Sequence, residues 1–214
     1  MKKPRLLLAD DHTILLEGLK ALLAPEFDVV ATASDGRTVL EAAERHQPDL
    51  ILLDISMPGL NGIEAARRLN QSNPGAKLIM LTMHADFSFV KAAFEAGVSG
   101  YVLKQSAATE LVTALHDVGS GRRYISPLIQ KRLGTGMNNS WRRTEEPSGD
   151  LTPRQREVLQ LLAEGRVRKE IAQILGVSLK TVEFHKQKIS EKLGIHTNAE
   201  LTAYAIRHGI ASGE

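Results

Sequence analysis

The sequence predicts an α/β protein: a five-stranded, parallel, doubly wound sheet joined to a smaller all-helical domain. Between Lys3 and Gly119, five short apolar runs alternate with five stretches of helical periodicity. This alternation is typical of a parallel sheet covered by helices on both faces. After residue 150 the alternation stops, and four short helical patterns follow one another.

The apolar runs are RLLLA, DVVAT, DLILLD, KLIMLT and GYVL, and the helical patterns after them cover 13–24, 36–46, 62–72, 86–96 and 106–119. Residues 50–53 are apolar at four successive positions, so we expect both faces of that strand to be buried. Ligands of such sheets bind at the carboxyl ends of the strands, which is where polar residues of this chain stand.

The domain boundaries follow from composition. We expect a first domain at 1–121, a linker at 122–146 and a second domain at 147–214. Within the linker, SPLIQKRL predicts a short helix capped by Ser126. The stretch 134–150 is rich in Gly, Asn, Ser and charge, which predicts a mobile connection.

Four helices are predicted in the second domain. Thr152 and Gln155 have the spacing of a capping box at the start of the first helix, and Ser178 caps the third. Asn198 opens the fourth helix. The second and third helices are joined through Gly176 by a short turn, which is the layout of a helix-turn-helix.

Composition excludes several kinds of site. The chain has no cysteine, so it forms no disulfide, thiolate nucleophile or cysteine-based metal site. Aromatic residues make up 4% of the chain, which argues against base-stacking platforms and aromatic ligand cages. No apolar run approaches the roughly 18 residues of a membrane span, and the N-terminus does not resemble a signal peptide. We therefore expect a cytoplasmic protein with no membrane partner.

Charge is distributed unevenly along the chain. Residues 1–121 carry 15 acidic and 11 basic side chains, whereas 122–150 and 151–214 each have a net charge of +3. An acidic half joined to a basic half indicates two separate tasks, and we expect any nucleic-acid contact on the second half.

Polar side chains stand at the ends of several predicted strands. Asp10 and Asp11 follow the first strand and Asp54 follows the third. If these strands are neighbours, the three charges repel one another unless a cation or a proton compensates, and Mg²⁺ fits such a pocket. Thr82 ends the fourth strand and Lys104 follows the fifth. Each of these residues could be an ordinary strand-end cap, but together they fit a phosphoryl group carried on a carboxylate oxygen.

Four segments carry a family resemblance: ADDH (9–12), LLDISMPGLNG (52–62), LTMHA (81–85) and GYVLK (100–104). They resemble the receiver domain of two-component response regulators, and the resemblance extends over residues 4–120. It implies a flavodoxin-like fold, a sensor histidine kinase as partner, Mg²⁺ as cofactor and a phosphorylated aspartate.

The resemblance also assigns roles to residues. Asp54 corresponds to the phosphoacceptor, and Asp10, Asp11 and Asp54 bind Mg²⁺ together with the backbone carbonyl of Ser56. Thr82 and Lys104 correspond to the residues that contact the phosphoryl oxygens. Tyr101 corresponds to the aromatic whose inward or outward pose accompanies switching.

Three further predictions concern single positions near Asp54. We expect Gly62 to supply a backbone conformation that most side chains cannot adopt. Many receivers have Pro where Gln105 stands, and a cis Lys104–Gln105 bond would cost about 2.5–4 kcal/mol, so the sequence leaves cis or trans open. Met83 stands where many receivers have a small residue, which predicts slow phosphorylation by small-molecule donors.

The third helix of the second domain has an apolar stripe formed by Val182, Ile189 and Leu193. Off that stripe lie Lys180, Glu183, Phe184, Gln187 and Lys188. Such a face fits the major groove, where Gln can pair with adenine and Glu can accept from cytosine. Charge alone is equally compatible with an ordinary solvated helix face.

The second domain resembles the LuxR-type helix-turn-helix over nearly all of 147–212, and the whole chain is similar to regulators of the NarL/FixJ family. The resemblance implies a helix-turn-helix at 168–187 and a dimer contact on the fourth helix. The DNA-contacting residues that it implies are Lys180, Thr181, Glu183, Phe184, His185, Gln187 and Lys188. Among these, Glu183, Phe184 and Gln187 correspond to base-facing positions, and Lys180, His185 and Lys188 to positions beside the backbone.

Two positions of the second domain depart from this pattern. Val167 replaces a usual Ser or Thr, which removes an N-cap worth about 0.5–2 kcal/mol. Glu183 replaces a frequent Lys, which we expect to change the preferred bases and weaken nonspecific affinity.

The sequence thus predicts a phosphorylation-switched transcription factor that is not an enzyme and binds promoter DNA as a homodimer. Three alternatives are a docking protein independent of phosphorylation, a phosphatase with an aspartate nucleophile, and a regulator that senses a small molecule. The complete set of five pocket residues disfavours the first. Ser56 cannot serve as the general acid of the second, and the scarcity of aromatics disfavours the third.

Overall fold

The computed structural model describes residues 2–72, 75–133 and 151–211. The chain divides into two compact units, Met1–Thr144 and Glu145–Glu214, and each is considered by itself. The mobile connection predicted at 134–150 lies outside the described residues, as does the part of the predicted linker beyond residue 133.

A single parallel sheet forms the centre of the first unit. Its strands are β1 (Arg5–Ala9), β2 (Asp28–Ala33), β3 (Leu50–Leu53), β4 (Lys77–Thr82), β5 (Gly100–Leu103) and β6 (Tyr124–Ile125). They lie in the order β2-β1-β3-β4-β5-β6, and every neighbouring pair is parallel. The predicted doubly wound fold is confirmed, and β1 and β3 are neighbours, as the convergence of the three aspartates requires.

Six helices are described in the first unit: α1 (Thr13–Leu23), α2 (Gly36–His46), α3 (Gly62–Ser72), α4 (Phe87–Glu95), α5 (Ala107–Gly119) and α6 (Pro127–Leu133). A short 3₁₀ turn at Lys104–Ser106 leads from β5 into α5. The five helices predicted between the strands are therefore present, with ends within one residue of those expected.

The sheet is buried on both faces because its strands are apolar at successive positions. In β3, Leu50 and Leu52 pack in one cluster with residues of α1 and α5. Ile51 and Leu53 pack in the other cluster with residues of α2, α3, α4 and α6. All four side chains are at most 2% exposed. Burying one such side chain stabilises the fold by about 1.5–3 kcal/mol, so the edge that carries the polar residues is held rigidly.

The sixth strand extends the predicted five-stranded sheet. Tyr124 pairs with Gly100 and Ile125 pairs with Tyr101, so the chain after α5 returns to the sheet beside β5. Ile129 of α6 is fully buried in the core next to this strand. A two-residue strand has no periodicity of its own, which is why the sequence pattern did not reveal it.

The second unit is helical, as predicted. Its described helices are α7 (Pro153–Ala163), α8 (Arg168–Leu175), α9 (Leu179–Leu193) and α10 (Asn198–Arg207). Their core contains Val158, Ile171, Val182, Ile189 and Leu201, each at most 1% exposed.

The caps of these helices match the sequence expectation. The Thr152 hydroxyl accepts from the backbone N–H of Gln155, whose side chain in turn accepts from that of Thr152. The Ser178 hydroxyl accepts from the backbone N–H of Thr181 at 3.1 Å. Among the described residues, no helix has the length and apolarity that a membrane crossing would need.

Candidate functional site

An acidic pocket lies at the carboxyl edge of the first unit's sheet. The side chains of Asp10, after β1, and Asp54, after β3, are each 2% exposed, whereas that of Asp11 is 35% exposed. The Asp54 backbone N–H donates to the carbonyl of Ala9 at 2.8 Å, which fixes the two strand ends beside each other. The structure therefore brings together the three carboxylates that the sequence placed at one edge.

Lys104 closes this pocket from the 3₁₀ turn after β5. Its ammonium nitrogen lies 2.8 Å from Oδ2 of Asp10 and 2.8 Å from Oδ2 of Asp54. Burial favours the neutral amine, but the hydrogen bonds to the two carboxylates outweigh it and raise the pKa of Lys104. Burial raises the pKa of Asp54 against the opposing effect of Lys104.

His12 is a neighbour of this pocket that sequence reasoning missed. Its Nδ1 lies 3.0 Å from Oδ1 of Asp10 and 2.9 Å from Oδ1 of Asp11. The hydrogen bond to Asp10, followed by the charge of Asp11, raises the pKa of His12. The signal was its position directly after the acidic pair. The backbone of His12 also donates to Asp10 and turns the side chain back toward the carboxylates.

The donor set fits a hard metal ion. One ligand atom each from Asp10, Asp11, His12 and Asp54 lies within 4.8 Å of the others. The three carboxylates supply oxygen atoms, which hard divalent cations prefer, and buried carboxylates in such proximity are stabilised by a cation. The pocket can therefore bind a metal ion.

Thr82 lies on β4, beside the strand that leads to Asp54, and Tyr101 lies on β5, one strand further along the sheet. Thr82 is fully buried at the end of β4, and its hydroxyl accepts from the backbone N–H of His84 at 3.2 Å. Tyr101 is also fully buried, and its hydroxyl donates to the carbonyl of His84 at 2.9 Å. Burial raises the pKa of the Tyr101 hydroxyl. The aromatic side chain thus has the inward pose.

The loop after β4 contacts the loop after β3. Ser56 Oγ lies 2.9 Å from Nε2 of His84, whose ring stacks on that of Phe89 at 4.1 Å between centroids. Met83, between Thr82 and His84, is 64% exposed. The slow reaction with small-molecule donors stays a prediction.

Two backbone expectations near the acceptor are resolved. The Lys104–Gln105 bond is trans. The reason expected for Gly62 was wrong, because its φ is not among the positive values of the chain. A side chain there would instead overlap the carbonyl oxygen of Asp54, so Gly62 is required by close backbone approach. The positive φ of this loop belongs to Gly59, at 74°.

In the second unit, α9 presents the face predicted to bind DNA. Lys180, Glu183, Phe184 and Gln187 are exposed, Phe184 by 56%, while Thr181, His185 and Lys188 are partly buried. On the opposite side, Val182 and Ile189 are buried and Leu193 is partly buried. The polar and apolar stripes of α9 are therefore separated as the sequence pattern indicated.

Several side chains of this face are already paired. Arg168, the first residue of α8, lies 3.2 Å from Glu183. Gln187 and Lys188 both contact the carboxylate of Glu191, at 2.9 and 2.6 Å. Burial, followed by the charge of Arg154, lowers the pKa of His185.

The missing cap of α8 is partly replaced. Val167 offers no side-chain hydrogen bond, as expected, but its backbone N–H donates to the carboxylate of Glu170 at 3.1 Å. This is one half of a capping box, so the loss is smaller than removal of the whole motif.

Two protein families match this chain, one in each of its two units. Residues 6–116 match the response regulator receiver domain, and residues 150–205 match the luxR family of bacterial regulatory proteins. The transcriptional regulatory protein MctR of Rhizobium johnstonii is 39% identical over 212 residues, covering 98% of this chain and 96% of MctR. The response regulator UvrY of Escherichia coli is 34% identical over 210 residues, with 97% and 96% covered.

A solved structure is similar over almost the same length. RcsB from Salmonella enterica serovar Typhimurium, bound to the promoter rprA in the presence of phosphomimetic BeF₃⁻, matches with a TM-score of 0.57 and 29% identity. The match covers 94% of this chain and 98% of that one.

A receiver domain joined to a LuxR-type helix-turn-helix domain defines the class of DNA-binding two-component response regulators, which control transcription through phosphorylation. Within this class, the chain belongs to the NarL/FixJ family.

Proposed function

We propose that a sensor histidine kinase transfers a phosphoryl group to the carboxylate of Asp54, and that this modification controls promoter binding by α9. The observation that carries the proposal is the position of the Lys104 ammonium, 2.8 Å from both Asp10 and Asp54. A buried cation there can neutralise charge on the oxygens of a phosphoryl group attached to Asp54.

The proposed metal is Mg²⁺, held by Asp10, Asp11 and Asp54 with the backbone carbonyl of Ser56. When bound, Mg²⁺ supplies positive charge to the phosphoryl oxygens during transfer. Asp54 is the nucleophile, and its burial keeps bulk water away from the product. Lys104 pairs with Asp10 and Asp54 before transfer and is positioned to pair with the phosphoryl group afterwards.

Thr82 and Tyr101 are the proposed switch residues. We expect the Thr82 hydroxyl, which accepts from the backbone N–H of His84, to move toward a new anion on Asp54 and donate to it. Because Tyr101 donates to the carbonyl of the same His84, that movement is coupled to the pose of Tyr101. The proposed output is a changed surface around α4, β5 and α5.

The proposed DNA contacts come from Lys180, Thr181, Glu183, Phe184, His185, Gln187 and Lys188. The exposed polar stripe of α9 supports major-groove entry, and RcsB, bound to a promoter with a phosphoryl mimic present, supports linked phosphorylation and DNA binding. We expect a homodimer on DNA, which would match a palindromic site. We propose a regulator and not a phosphatase, since Ser56, two residues after Asp54, carries a hydroxyl and no acid.

The test is selection of genomic DNA by the full chain with and without beryllofluoride and Mg²⁺. We expect beryllofluoride to enrich a defined set of promoters with the wild-type chain and with Asp28→Asn, a matched change at an exposed aspartate of β2. Asp54→Asn should select the same DNA whether or not beryllofluoride is present. The proposal would be contradicted if beryllofluoride enriched promoters with Asp54→Asn as strongly as with the wild type. It would also be contradicted if beryllofluoride left wild-type binding unchanged.

A further inference from the structure

An ion pair between the two helices of the helix-turn-helix bears on how the chain reads DNA. Arg168 Nη1 lies 3.2 Å from Glu183 Oε1, and the two residues are 15 positions apart in sequence. Their side chains are 55% and 49% exposed, so both remain accessible to a ligand. In water such an exposed pair contributes little to stability. Its significance therefore lies in what it does on the DNA-facing surface.

A carboxylate on the DNA-facing surface lowers the affinity for DNA unless it binds a base. DNA carries a dense array of negative phosphates, so an uncompensated Glu183 would weaken binding at every sequence. Glutamate becomes favourable only where it accepts a hydrogen bond from a base amino group. In the major groove both cytosine N4 and adenine N6 donate, but a carboxylate suits cytosine because the acceptor N7 of adenine lies beside its amine. This readout requires a fixed carboxylate orientation and a compensating cation.

The cation recorded beside Glu183 comes from α8 and not from its own helix. Of the lysines near it on α9, Lys186 donates to Asn198 and Lys188 to Glu191. The exposed Lys180 forms no ion pair with Glu183 among the described residues. Arg168 is the first residue of α8, the helix that crosses the DNA backbone in this motif. Its planar guanidinium has five N–H donors, so it can bind a carboxylate and a phosphate at the same time.

We propose that Arg168 is a positioning residue for base recognition: it holds the Glu183 carboxylate toward a cytosine amine while its remaining donors bind a backbone phosphate. This inference rests on the proposed entry of α9 into the major groove. Loss of Arg168 then has two effects, a lower affinity for all DNA and a loss of cytosine preference at the position that Glu183 contacts.

The experiment is selection from a random duplex library by the full chain with beryllofluoride and Mg²⁺, comparing wild type, Glu183→Gln, Arg168→Met, Arg168→Lys and the Glu183→Gln/Arg168→Met double variant. We expect the wild type to prefer cytosine at one position of each half-site by about tenfold. Glu183→Gln and Arg168→Met should both lose this preference at the same position. The double variant should lose no more preference than Glu183→Gln alone.

Arg168→Lys separates geometry from charge, because it keeps the cation but not the planar fork. We expect it to retain affinity better than Arg168→Met while still weakening the cytosine preference. Lys180→Ala serves as the phosphate-contact comparison, with affinity lowered and preference intact. Equal unfolding temperatures of wild type and Arg168→Met would show that the change is not a loss of fold.

Two outcomes overturn the inference specifically. One is a uniform loss of affinity in Arg168→Met with cytosine preference unchanged, which would make Arg168 a phosphate contact only. The other is an unchanged preference in Glu183→Gln. A wild-type chain that selects no sequence at all would overturn the proposed DNA-reading function, and this inference with it.

Discussion

Lys104 determines the charge balance of the acidic pocket. It is the cation that contacts both Asp10 and Asp54, and those two carboxylates are 2% exposed. Water cannot stabilise carboxylates at that depth, so their charge depends on the Lys104 ammonium, on the imidazole of His12 beside Asp10, or on a bound metal ion. The same side chain therefore contributes to the stability of the unmodified fold and to recognition of the proposed phosphoryl group.

The first prediction is that Lys104→Met destabilises the first unit by about 3–5 kcal/mol when divalent cations are removed, because the buried Asp10 and Asp54 both lose the ammonium 2.8 Å away. Mg²⁺ should restore part of this loss by replacing the missing positive charge. Urea denaturation of the full chain, with chelator and with Mg²⁺, measures both effects. Lys20→Met, which removes the exposed pair with Glu17, should cost less than about 1 kcal/mol. A Lys104→Met chain as stable as Lys20→Met in chelator would contradict the prediction.

The second prediction concerns His185, whose Nδ1 is buried in α9. Its pKa lies below the ordinary value of 6.5, mainly because of burial and then because of Arg154. The unfolded chain therefore binds a proton before the folded one does, and stability falls as the pH drops from about 6.5 through the folded pKa. His185→Leu should flatten this pH dependence of the unfolding temperature. An equally steep loss in His185→Leu would refute this role.

At the scale of elements, β6 and α6 attach the chain that follows α5 to the sheet. Ser126 is fully buried and its hydroxyl donates to the carboxylate of Glu110 at 2.7 Å. The Ser126 backbone N–H donates to the carbonyl of Tyr101 at 2.9 Å. The segment is thus hydrogen-bonded to the backbone of the strand that carries the proposed switch residue.

The third prediction is that Ile129→Ala destabilises the first unit by about 2–5 kcal/mol, because it leaves a cavity where a fully buried side chain of α6 meets the core. Leu128→Ala, at the neighbouring and only partly buried position, should cost less. Urea unfolding midpoints of the two variants measure the difference. Equal losses would mean that α6 is not held through Ile129.

The parts predicted from sequence are those with a local pattern. Five strands, five helices and the capping box at Thr152 follow from periodicity and cap residues within a few positions. The missed features depend on contacts between distant residues. Glu110 pairs with Ser126, and Arg168 with Glu183, only because the fold brings their helices together. Gly62 was assigned to the correct loop for the wrong reason, since its close approach to Asp54 is invisible in a single sequence.

At the scale of the whole molecule, the part of the chain with the acidic pocket and the part proposed to bind DNA have net charges of opposite sign. Residues 1–121, with 15 acidic and 11 basic side chains, contain the pocket that needs cations, while the net charge of 151–214 is +3. A net charge this small provides only modest nonspecific attraction to DNA, so affinity must come from a few well-placed contacts. Glu183 lowers the attraction further at the surface of α9. Each lysine on that surface therefore contributes a larger share of the affinity for DNA.

The fourth prediction follows from this charge distribution. Lys180 is exposed near the start of α9, and we expect it to neutralise one DNA phosphate. Each neutralised phosphate contributes about 0.9 to the slope of the logarithm of affinity against the logarithm of salt concentration. Lys180→Ala should therefore reduce the steepness of that slope by about 1. The loss of affinity should be about the same for every DNA sequence. Lys77→Ala, an exposed lysine of the first unit, should leave the slope unchanged. A slope that is the same in Lys180→Ala as in the wild type would place Lys180 away from the phosphates, and the orientation of α9 on DNA would have to be revised.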